Sequence, residues 1–165
     1  MKTHKVLGLF FSICLLLSCA PSKYSIQKRE RPEKGRERII HYAHQQMGTP
    51  YKYGGSTPGG FDCSGFVQYV FQKAGYSLPR STVDQSRVGK KVRRQDLRPG
   101  DLVFFKGRNK RQAKTGHVGI VVEKYKNSGF LFIHAASRGI AEDNSEETYW
   151  KERFLQARRI SYLGD

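Results

Sequence analysis

Asp62-Cys63-Ser64-Gly65-Phe66-Val67-Gln68-Tyr69-Val70-Phe71-Gln72-Lys73-Ala74-Gly75 is the stretch that decides the fold. Phe66, Val67, Val70, Phe71 and Ala74 form one apolar stripe at helical spacing. Asp62 stands where an N-cap belongs, and Gly75 stands where a C′ glycine belongs. The spacing therefore predicts a helix that begins at or next to Cys63. Unpaired N–H groups and the helix dipole at such a start favour a negative charge, which should lower a thiol pKa toward the reactive range. Asp62 works against a thiolate, although capping bonds absorb much of its charge.

Upstream, Ile39, Ile40, Ala43 and Met47 predict a first helix over 37–47, closed by Gly48. Thr49 to Phe61 carries Pro50, Pro58, Gly54, Gly55, Gly59 and Gly60 and reads as loop. No Gly-Lys-Ser/Thr follows these glycines, so the loop does not cradle phosphate. Downstream, Thr82-x-x-Gln85 offers a capping box for a short helix to about Val88. Pro99-Gly100 turns the chain into Asp101–Phe105, a buried strand. His117–Glu123 and Phe130–His134 read as further strands, and Arg158–Leu163 as a last one. Helices precede strands and the connections are short. The expected class is α+β, with N-terminal helices packed on an antiparallel sheet.

The chain has 165 residues, which favours one domain. Lys and Arg number 30 against 14 Asp and Glu, a net charge of +16. Three cysteines exclude a disulfide-dense scaffold. Met1-Lys2-Thr3-His4-Lys5 precedes a nearly unbroken apolar run, Val6 to Leu17, too short to span a bilayer and shaped like an export signal. Its end, Leu16-Leu17-Ser18-Cys19, resembles the lipobox of bacterial lipoproteins, which implies cleavage after residue 18 and acylation of Cys19. Ala20 rather than Asp after that cysteine favours the outer membrane. Residues 19–38, rich in Lys and Arg with Pro21 and Pro32, read as a basic tether, and 39–165 as the folded domain. Export makes nucleic-acid binding improbable despite the basic charge. It also leaves Cys63 as the one free thiol, unusual in an oxidising compartment.

A cysteine nucleophile needs a base. His41 and His44 fall three residues apart on the first helix and read as solvated. His117 opens a strand and His134 closes one, so one can serve as base and the other as its orienting partner. A zinc site from Cys63, His117 and His134 is conceivable by ligand type, but the helix-start thiol favours nucleophilic use. No metal or cofactor is expected.

Asp62-Cys63-Ser64-Gly65, Gly116-His117-Val118-Gly119-Ile120 and Pro99-Gly100-Asp101-Leu102-Val103-Phe104-Phe105 resemble the three signature blocks of the NlpC/P60 family of cell-wall cysteine peptidases. Thr49 to Gly55 and Leu78 to Gln85 are similar to the segments flanking the cysteine. Tyr53 departs from the tryptophan often found there. The resemblance implies a papain-like fold with Cys63 as nucleophile, His117 as base and His134 as third residue. It also places Tyr51 near the oxyanion, and Asp62, Ser64 and Arg80 in substrate recognition or pocket structure. The implied substrate is the peptidoglycan stem peptide, cut at the γ-D-glutamyl-diamino acid bond or at a cross-link by a monomer. A non-catalytic wall-binding lipoprotein and a related thiol amidase or acyltransferase are the alternatives.

Overall fold

The computed structural model describes residues 32–160 apart from 108, 110, 112, 127 and 128. The leader and Cys19 lie outside the described residues. Helix α1 spans Pro32–Gln45. It opens on a proline, whose fixed φ and missing N–H suit a first turn. The segment from Pro32 to Arg38 is therefore helix, not the end of a tether. Helix α2 spans Cys63–Lys73 and is capped by Asp62, as its apolar stripe requires. Helix α3 covers Thr82–Gln85. Its cap lies one residue earlier than expected: Ser81 Oγ accepts the Asp84 N–H, and Gln85 is buried. The Gln85 amide donates to the Ser64 and Pro79 carbonyls, tying α3 to the start of α2.

The glycine-rich loop contains a small hairpin, β1 (Ser56–Thr57) and β2 (Gly60–Phe61). The main sheet is formed by β3 (Lys90–Val92), β4 (Leu102–Lys106), β5 (Thr115–Lys124), β6 (Phe130–Ala136), β7 (Gly139–Asn144) and β8 (Phe154–Arg159). Its order is β3-β8-β4-β5-β6-β7, and every pair is antiparallel. A short helix, α4 (Thr148–Lys151), connects β7 to β8. The α+β class and the antiparallel sheet match the expectation. The last strand differs: it runs Phe154–Arg159, so Arg158 is near its end and not its start.

Both faces of the sheet are covered, which explains why β4 reads as a continuous apolar run. Leu102, Phe104, Val118, Ile120, Ile133 and Ala135 pack against Ile39, Ala43, Phe66, Val67, Val70 and Phe71 of the first two helices. Val103, Phe105, Val121, Phe130 and Phe132 form a second layer with Trp150 and Ala157. Asp101, at the head of β4, receives both Nε and Nη2 of Arg159 at 2.8 Å, and both residues are buried. This pair clamps β4 to the end of β8. Removing one partner strands the other charge in the interior. Asp101→Ala should therefore cost about 3–5 kcal/mol, read as a fall in urea midpoint; an unchanged midpoint would remove the clamp from the account.

Candidate active site

The start of α2 is braced by one carboxylate. Asp62 Oδ1 accepts the Gly65 N–H at 2.7 Å, Arg80 Nη1 at 2.9 Å and the Ser64 hydroxyl at 3.3 Å. Its Oδ2 accepts Arg80 Nη2 at 2.6 Å and the Gly54 N–H at 3.1 Å. Arg80 also donates to Ser64 Oγ at 2.9 Å and to the Gly55 carbonyl at 3.3 Å. Burial opposes ionisation of Asp62, but these donors outweigh it and hold the carboxyl below its usual range. Arg80 thus spends its guanidinium on the brace. A Cβ at Gly65 would sit 2.0 Å from the Gly55 carbonyl oxygen, so only glycine lets α2 start against this loop.

Cys63 is the first residue of α2 and is half-buried. Its Sγ lies 3.6 Å from Thr82 Oγ1, and the Val118 and Ser64 N–H groups favour its charged form. Among the described residues these are its partners, not an imidazole nitrogen. Burial raises the thiol pKa, and the Asp62 charge adds to the effect; Thr82 and the backbone donors only partly offset them. The helix start therefore does not leave a resting thiolate, contrary to the sequence expectation.

The two strand-end histidines are joined. His117 Nε2 and His134 Nδ1 are 2.9 Å apart, on neighbouring strands β5 and β6. His134 Nε2 lies 2.9 Å from Asp143 Oδ2, which also accepts the Trp150 indole N–H at 2.9 Å. Arg138 pairs with Asp143 Oδ1. Burial opposes the Asp143 charge, yet His134 and Arg138 bring its carboxyl down to about 2. An ionised carboxylate only accepts. In the neutral pair, a proton on His134 Nε2 toward Asp143 leaves its Nδ1 to accept from His117 Nε2. The lone pair of His117 is left on Nδ1. Burial, then the nearby His134, pushes the His117 pKa down to about 3 against the pull of Asp143. The imidazole is neutral at pH 7, with a free ring lone pair. Trp150 stacks on it, with centroids 5.4 Å apart and planes 28° apart.

Asp143, Trp150, Arg138 and Thr82 were not foreseen from sequence. Asp143 sits on β7, an acidic strand without alternation, and only its pairing with Phe132 brings it diagonally onto the His134 face. His41 and His44 are exposed on α1, as expected. Tyr51 is 42% exposed and lines a cleft of about 610 Å³ with His117, His134 and Trp150. Among the described residues no group of three or more His, Cys, Asp and Glu side chains is arranged to hold a metal ion. Asp143→Asn can no longer enforce the His134 tautomer. We expect kcat to fall about 10-fold or more with KM little changed and the fold retained. Loss of thermal stability without a change in kcat would make Asp143 merely structural.

A cysteine at a helix start and a hydrogen-bonded histidine pair on neighbouring strands of an antiparallel sheet are the residue types that a papain-like thiol hydrolase uses. The NlpC/P60 family model matches residues 48–159, and the chain belongs to that family. It is 44% identical over 119 residues to a "Probable endopeptidase" of Haemophilus influenzae, covering 71% of this chain and 70% of the relative. It is 43% identical over 128 residues to the "Murein DD-endopeptidase MepS/Murein LD-carboxypeptidase" of Escherichia coli K12, covering 76% of this chain but 63% of that protein. The crystal structure of an NlpC/P60 family protein from Bacillus cereus superposes with a TM-score of 0.69 at 29% identity, over 78% of this chain and 40% of that one.

Proposed function

We propose that the chain is a cysteine endopeptidase that hydrolyses amide bonds in peptidoglycan stem peptides, at a γ-D-glutamyl-diamino acid bond or at a cross-link. The observation that carries this reading is the hydrogen-bonded line His117–His134–Asp143, together with a cysteine at the start of α2. The E. coli relative's name, a murein endopeptidase, supports the same substrate, and the H. influenzae relative's name supports endopeptidase activity.

In the proposed reaction, the Cys63 thiol leaves Thr82 and comes within reach of His117. Sγ attacks the carbonyl carbon while its proton passes to His117 Nδ1. Backbone N–H groups at the start of α2, with Tyr51 at the cleft edge, receive the oxyanion. The C–N bond then breaks as His117 returns the proton to the leaving amine. Water, deprotonated by His117, opens the thioester and regenerates the thiol. Asp62, Ser64 and Arg80 act in this scheme by fixing the helix start that presents Cys63. Digestion of purified sacculi, read by mass spectrometry of released muropeptides, tests the proposal; absence of any release from sacculi of either diamino acid type would favour wall binding alone.

The proposed setting is the bacterial envelope, with cleavage after residue 18 and acylated Cys19 holding the domain at the outer membrane, facing the periplasm. Several acyl chains at about 0.8 kcal/mol per buried CH₂ anchor a protein firmly. Cys19→Ala should move the protein from the membrane fraction to the soluble or unprocessed fraction and abolish palmitate labelling. Unaltered labelling in that variant would reject Cys19 as the acceptor.

A further inference from the structure

A stem-peptide hydrolase handles a substrate rich in free carboxylates, and Arg80 is the cation that the sequence offered to meet one. The structure commits Arg80 to Asp62 through two hydrogen bonds. Two other cations, Lys106 and Arg138, line the cleft beside His117. Arg138 is paired with Asp143. Lys106 is half-buried and, among the described residues, has no ion-pair partner.

Its placement follows from the strand that carries it. The register of β4 slips against β8 between Phe104 and Phe105, and against β5 between Phe105 and Lys106. Such irregularities re-aim the next side chain. The Lys106 N–H is fixed on the Arg153 carbonyl at 2.8 Å. Next to it, Gly107 and Gly116 approach so closely that a Cβ on Gly116 would lie 2.5 Å from Gly107 Cα.

The side of the cleft identifies which part of the substrate reaches this lysine. His117 must deliver its proton to the leaving amine, so the leaving residue lies on the His117–Trp150 side, where Lys106 is. The acyl side lies over the start of α2. We propose that Lys106 receives a free carboxylate on the residue whose amine leaves. The enzyme then selects a diamino diacid over a diamino monoacid at that position. This inference rests on the hydrolase reading given above.

The test uses the full chain and two synthetic cross-linked stem peptides that are identical except that this carboxylate is free in one and amidated in the other. We expect the wild-type protein to favour the free carboxylate about 10-fold in kcat/KM, chiefly through KM, and to lose part of that preference at high salt. In Lys106→Met the ratio should collapse to near one, and in Lys106→Arg it should persist. Equal rates on the two peptides in the wild type, or an undiminished preference in Lys106→Met, would overturn the assignment. Hydrolysis of both peptides without discrimination defeats only the Lys106 role, whereas failure to cut either peptide or any sacculus defeats the hydrolase reading with it.

Discussion

Cys63→Ala should leave a folded protein that releases no muropeptides from sacculi, a loss of about 10⁴-fold or more. The fold should survive because residue 63 opens α2, where alanine is well tolerated, and because Cys63 only borders the core cluster and is partly exposed. The cap that fixes the helix belongs to Asp62 and Gly65, which the substitution does not touch. Activity should vanish because the proposed reaction runs through the Cys63 thiol, and the Ser64 hydroxyl at the same helix start is tied to Asp62 and Arg80. Cys63→Ser should be nearly as inactive, since a neutral imidazole deprotonates a hydroxyl far less readily than a thiol. Matched circular dichroism and muropeptide release on the three proteins check this; substantial turnover by Cys63→Ala would place the chemistry elsewhere.

His117→Ala should cost about 10²–10⁴-fold in kcat/KM, the usual contribution of a positioned general base. The wild-type acid limb carries a further signature. Burial brings the His117 pKa down from 6.5 to about 3, so the base stays neutral well below the pH at which a free imidazole is protonated. Activity governed by His117 should persist through pH 5 and not decline around 6.5. Stability moves in the opposite sense. The unfolded imidazole binds a proton near pH 6.5 and the folded one only near 3, so the unfolded state gains stability as pH falls through that window. Unfolding midpoints should fall from pH 6.5 toward 3 in the wild type, and less steeply in His117→Ala. Asp143, with its carboxyl near 2, contributes stability that is lost only below its ordinary range of about 4. An acid limb centred at 6.5 would contradict the lowered His117 pKa.

Much of this was legible in the sequence because its signals were local. The stripe from Phe66 to Ala74, the cap at Asp62 and the apolar run at β4 each depend on a few neighbouring residues, and each element lies where they place it. The α3 cap was misread by one residue because Thr82 and Gln85 imitate a capping box, whereas Gln85 is drawn inward by the Ser64 and Pro79 carbonyls. The missed parts depend on long-range pairing. β7 has neither alternation nor β-branched enrichment, and it is a strand because its whole length pairs with β6. Asp143 therefore gave no local sign that it backs His134. The expectation of a thiolate failed for a related reason: helix polarity is visible in sequence, but the burial that outweighs it is not.

The most direct measurement is residual activity against the fraction of Cys63 alkylated by iodoacetamide, with modification followed by mass spectrometry of the peptide containing that residue. Muropeptide release should fall in proportion to alkylation of Cys63 and reach zero when it is complete. Release that continues after Cys63 is fully alkylated would contradict a reaction carried by its sulfur.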